Sequence, residues 1–195
     1  MVRAAFQKWE DLPRSNVSFT YIGICDGDPS GSREGRRDGL NTIGWADLRI
    51  STGAQTALRS SPEKTLRDGQ YREILEADIA INISSFSTLT DPVQFVWTTL
   101  PHVLVHEIGH LAGLDHSKVE CSVMWPTGFR SEFCRDDLDA MAILYPGAKH
   151  LIRAPGRGAV GGRTGRYPAS LAVLFHKRGQ KWQTKDPAKL RLALS

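Results

Sequence analysis

Val2, Ala5, Phe6 and Trp9 recur at helical spacing, so the chain opens in an amphipathic helix that must stop before Pro13. Val17-Ser18-Phe19-Thr20-Tyr21-Ile22 is β-branched and aromatic, which predicts a strand. Residues 25–41 are rich in Gly, Asp, Ser and Arg and predict a long loop, followed by a second strand within Thr42 to Ile50. The stretch 54–68 fits helix or loop. After the turn signal Asp68-Gly69, Ile74 to Ile83 partly alternates and predicts a third strand. A helix is predicted from Thr99 or Leu100 to Leu111, with Pro101 in its first turn, where a missing N–H does no harm. Leu138, Met141, Ala142 and Tyr145 share a face, so a last helix runs from Arg135 to Leu144 with Asp136 and Asp137 at its positive end. Ala154 to Tyr167 is Gly/Arg-rich and reads as a linker.

Composition changes this picture at one junction. The 195 residues carry 41% hydrophobic and 24% charged positions, enough for one core and against wholesale disorder. No apolar run approaches the ~18 residues of a membrane span, and the first ten residues lack the apolar middle of a signal peptide. Residues 148–195 hold eleven Lys or Arg against the single acid Asp186, a net of +10, whereas 1–147 carry −6. Such a swing predicts two units, a domain at 1–147 and a basic, irregular tail at 148–195. Cys25, Cys121 and Cys134 are too few for a disulfide scaffold. Cys121 and Cys134 could bridge if the chain is secreted; free buried thiols are the alternative.

The chemistry concentrates in His106-Glu107-Ile108-Gly109-His110-Leu111-Ala112-Gly113-Leu114-Asp115-His116. Two histidines four apart point from one helix face and can reach one metal ion, with Glu107 beside them. Gly113 suits a positive-φ turn that ends the helix and returns His116 as a third ligand. Three neutral nitrogens leave a fourth position open, the mark of a catalytic zinc. An amphipathic helix with solvent-facing histidines is the plainer reading, but it does not explain why half of the six histidines fall within eleven residues.

With Leu114-Asp115-His116-Ser117 the motif resembles the matrixin group of metzincin metallopeptidases. Ser122-Val123-Met124-Trp125-Pro126 resembles their Met-turn, with Met124 an apolar floor beneath the metal. Asp136-Asp137-Leu138 and Leu144-Tyr145 resemble the ends of the last matrixin helix, and Ala77 to Asn82 the strand next to the cleft. The resemblance implies an α+β domain of α/β type, with a mixed twisted sheet, an active-site helix and a C-terminal helix. It implies one catalytic zinc on His106, His110 and His116, with Glu107 as general base in peptide-bond hydrolysis. It also implies a peptide substrate laid along an edge strand, and a pocket walled by Trp125 and Pro126 within the turn to Arg130.

Three departures shape the expectations. The chain starts midway through the family's first helix, so the sheet is expected to lack an N-terminal strand and to have a gap in its core. The remaining histidines, His102, His150 and His176, are few and scattered, so no second zinc is expected, and His102 reads as a neighbour of the site or an exposed residue, not a ligand. Asp26, Asp28 and Asp38 could bind calcium, although a solvated acidic loop is the simpler reading. The favoured function is thus a monomeric zinc endopeptidase, placed outside the cell by resemblance alone. An inactive remnant with a spoiled site is the first alternative. A tail that binds anions or nucleic acid is the second, and it is disfavoured because its glycines match no phosphate loop.

Overall fold

The computed structural model describes residues 1–25, 29, 39–48, 53–60, 64–66, 69–71, 74–82, 99–127, 130, 132–147 and 171–176; for 64–66, 69–71 and 171–176 it describes the backbone alone. Among these residues it is an α+β fold with a mixed five-stranded sheet, a two-stranded ribbon and three helices. The three aspartates considered for calcium, Asp26, Asp28 and Asp38, lie outside the described residues.

Helix α1 spans Val2–Glu10, and its predicted stripe is what it buries: Ala5, Phe6 and Trp9. Strand β1 is Phe19–Cys25, β2 is Asn41–Ala46 and β3 is Ala54–Ser60. Lys64–Leu66 (β4) and Gly69–Tyr71 (β5) form the antiparallel ribbon, and β6 is Ile74–Asn82. Helix α2 is Leu100–Leu111 and α3 is Arg135–Leu144, within a residue of the periodicity-based expectation. The stretch 54–68, expected as helix or loop, instead supplies β3 and β4. Its Ala, Gln, Leu and Arg residues favour helix intrinsically, but pairing along β6 overrides that preference.

The sheet order is β1-β7-β2-β6-β3, where β7 is Leu171–His176. These six residues belong to the stretch expected to be an irregular tail, and there the expectation is corrected. Strand β7 runs parallel to both neighbours, pairing Phe19 through Cys25 on one side and Asn41 to Ile43 on the other. It therefore occupies an interior position where the sheet was expected to have a gap. Leu171-Ala172-Val173-Leu174-Phe175 is a continuous apolar run, the pattern of a parallel strand covered on both faces. The basic residues around it masked that signal.

Strand β6 shows why the helices sit where they do. Ala77, Ile79 and Ile81 share one face and join a core with Trp9, Leu104, Ile108, Leu111, Met124 and Met141. The opposite face carries Glu76 and Asp78, also buried, which accept hydrogen bonds from the Gly39 and Thr42 N–H groups at 2.9 and 3.0 Å. Buried carboxylates are tolerable because backbone donors satisfy them. Helix α1 is fixed across α2 by the Trp9 indole N–H, which donates to the Val105 carbonyl at 2.9 Å. No helix among the described residues is long and apolar enough to cross a membrane.

Candidate functional site

Helix α2 places His106 and His110 on one face, and its end is built to bring His116 back. Gly113 has φ +97°, where a Cβ would be strained. The Gly113 N–H donates to the His110 carbonyl at 2.8 Å, and the Leu114 N–H to the Gly109 carbonyl at 3.0 Å. Those two bonds are the Schellman pair that stops a helix and reverses the chain. The Tyr145 hydroxyl adds a bond to the Ala112 carbonyl at 2.8 Å, so α3 pins the same turn.

The result is a cluster in which one ring nitrogen from each of His106, His110 and His116 lies within 4.8 Å of the others. It is the only group of this kind among the described residues, and it excludes His102. His106 Nδ1 lies 2.7 Å from the Val123 carbonyl, and His110 Nδ1 lies 2.7 Å from the Leu114 carbonyl. Carbonyls only accept, so each Nδ1 carries the hydrogen and each Nε2 keeps its lone pair for the centre. The two Nε2 atoms stand 3.2 Å apart, with no proton available to bond them. Nitrogens ~2.0–2.1 Å from one tetrahedral ion are separated by roughly 3.3 Å, so the spacing suits a shared zinc. Burial holds His106 down at about pH 4; the Val123 carbonyl opposes this and the neighbouring His110 and His116 reinforce it. His106 is therefore neutral and ready to ligate at ordinary pH.

Glu107 is buried on the same helix, against β3. Burial pushes its carboxyl up, while a hydrogen bond from Thr56 and the nearby His110 pull it back. The Thr56 hydroxyl lies 2.5 Å from Glu107 Oε2 and 3.1 Å from the Glu107 carbonyl oxygen. Thr56 was not anticipated from sequence: a lone threonine in an ambiguous stretch gives no signal until strand pairing fixes its face.

Met124 is buried, and the backbone of α2 leaves it room only because position 109 is glycine. A Cβ there would stand 2.3 Å from Met124 Sδ and 2.9 Å from the Trp9 ring. The Met124 carbonyl accepts from the Ser117 N–H at 2.9 Å, tying the Met124 turn to the residue after His116. Trp125 is half-buried and Pro126 exposed just beyond; residues 128 and 129 of the expected pocket wall lie outside the described residues. Cys121 and Cys134 are joined in a disulfide with Cα atoms 6.0 Å apart, closing the loop that presents Met124.

Asp137 organises that loop from α3. Fully buried, it accepts from the Ser122 hydroxyl at 2.5 Å, the Val123 N–H at 3.2 Å and the Cys134 N–H at 2.8 Å. Since the Val123 carbonyl holds His106, support runs from Asp137 through one peptide residue to the His106 imidazole. Asp137→Ala leaves three donors without their acceptor and is expected to cost about 2–3 kcal/mol. Loosening of His106 is expected to weaken the affinity of the three-histidine cluster for an added zinc ion by roughly 10–100-fold. Thermal unfolding and a chelator competition on the same samples check both effects.

The matrixin family model matches residues 61–146. A probable matrix metalloproteinase, 095L, of Invertebrate iridescent virus 3 is 38% identical over 82 residues, covering 41% of this chain and 22% of that protein. Two Arabidopsis thaliana proteins are also similar. Metalloendoproteinase 2-MMP is 40% identical over 79 residues (36% of this chain, 20% of the relative), and metalloendoproteinase 5-MMP is 48% identical over 76 (37% and 21%). The chain thus spans about a fifth of the length of these relatives. No solved structure matches it.

Proposed function

We propose that this matrixin-like chain is a zinc-dependent endopeptidase, with His106, His110 and His116 as the ligands of one zinc ion and Glu107 as general base. The observation that carries this is the convergence of three imidazoles, two of them fixed by carbonyls in the tautomer a metal requires, beside a buried carboxyl. A zinc ion held there supplies Lewis acidity, polarising the scissile carbonyl and acidifying water. Glu107 accepts a proton from the attacking water and passes it to the departing amine, so the acid and amine products balance the water consumed. Its raised proton affinity suits a group that must both take and release a proton.

The substrate is a peptide or protein strand. Strand β3 is the last in the sheet order among the described residues and packs on α2, so its outer edge can pair with an extended chain beside Glu107. Met124 is the floor of the site, and Trp125 with Pro126 walls the pocket for the residue after the cut. The disulfide favours an oxidising compartment, in keeping with an extracellular enzyme. The argument for an inactive remnant loses its premise, because β7 occupies the interior of the sheet.

Metal removal tests the reading. The full chain should carry one zinc, cleave a quenched generic peptide, lose cleavage on chelation and regain it with one equivalent of zinc. Cleavage that survives complete metal removal overturns the mechanism. One bound zinc without cleavage keeps the metal centre and overturns the peptidase.

A further inference from the structure

We propose that Thr56 is a positioning residue for Glu107, its hydroxyl clasping the carboxylate Oε2 and the backbone carbonyl of that residue so that Oε1 alone is left for the water. This rests on the peptidase reading above. Thr56 lies on β3, and its cross-strand partner in the antiparallel register is Ile79. Ile79 belongs to the core face of β6, and directly opposed residues of paired strands share a face, so Thr56 is on the helix side. A slip of one residue would turn it away from α2.

The geometry is specific to one side chain. The single hydroxyl hydrogen is shared between two oxygens of the same residue, mainly Oε2 at 2.5 Å and more weakly the backbone carbonyl at 3.1 Å, which fixes the glutamate relative to its own backbone as a bond to the carboxylate alone would not do. Unclasped, the three-torsion chain of Glu107 could turn its carboxyl away from the histidines; fixing it holds the reacting group in place before substrate arrives. The contact spans helix and edge strand, so it also sets Glu107 against the strand on which a peptide would lie.

Thr56→Val keeps the shape and removes the hydroxyl; Thr56→Ser keeps the hydroxyl. In the zinc-loaded full chain, Thr56→Val should lower kcat about tenfold while KM, zinc content and Tm stay near wild type, and Thr56→Ser should stay within about threefold of wild-type kcat. An unchanged kcat in Thr56→Val overturns the proposal, as does an equal fall in Thr56→Ser or a loss accounted for by zinc or stability. If wild type holds zinc and cleaves nothing, the peptidase reading has failed, and crystal structures decide the positioning role. Glu107 in one orientation in wild type but several in Thr56→Val supports it; the same single orientation in both overturns it.

Discussion

Glu107→Ala is expected to keep one zinc per chain and to lose about a thousandfold in kcat, the upper part of what a positioned proton carrier contributes. The separation of the two properties follows from where the residue sits. The nitrogens proposed as metal ligands come from His106, His110 and His116, and the carbonyls that orient two of these rings belong to Val123 and Leu114. None of these bonds involves the Glu107 side chain. Its removal leaves a small cavity and relieves a buried carboxyl of its desolvation cost, so Tm should change little or rise. Zinc content, Tm and cleavage of a quenched peptide, measured on paired samples, check all three points. Retained cleavage would remove Glu107 from the mechanism, whereas loss of zinc together with cleavage would show that its role is structural.

The chemistry was more legible than the architecture. His106, His110, Gly113 and His116 could be read because a helix has a fixed period and a positive-φ turn favours glycine, so spacing alone places three imidazoles together. The residues that hold them could not. Asp137 reads as an ordinary acid in the first turn of a helix, yet its carboxylate is buried and organises the Val123 turn, a relation across 14 residues that only the packed loop defines. Thr56 depends on a strand whose composition suits a helix, and its role depends on register. The helices were legible within a residue because their buried stripes are amphipathic. The error at β7 has another cause: a +10 charge balance was averaged over a segment in which six residues obey different physics.

Deleting residues 148–195 is expected to abolish cooperative unfolding of the remaining chain, although every proposed site residue is retained. Strand β1 has its ladder partners in β7, and β2 has β7 on one side and β6 on the other. Without β7, the backbone groups of β1 lose their pairing and β2 gains an open edge in the middle of the sheet. Contacts that would remain to β1 include the Phe6–Phe19 ring contact at 4.8 Å, the Phe19 N–H bond to Glu10 Oε1 at 2.6 Å and Arg3 over the Tyr21 ring at 4.5 Å. A finer test is Val173→Pro, because Val173 pairs with Tyr21 on one side and Asn41 on the other. Proline removes the N–H and is excluded from central strands, so about 3 kcal/mol or more should be lost. At this chain length that corresponds to a Tm lowered by roughly 6–12 °C. If Val173→Pro melts like wild type, or the 1–147 chain melts as sharply as the whole, β7 is dispensable to the sheet. If both are destabilised as expected, the helix that carries His106 and His110 rests on a sheet that β7 completes.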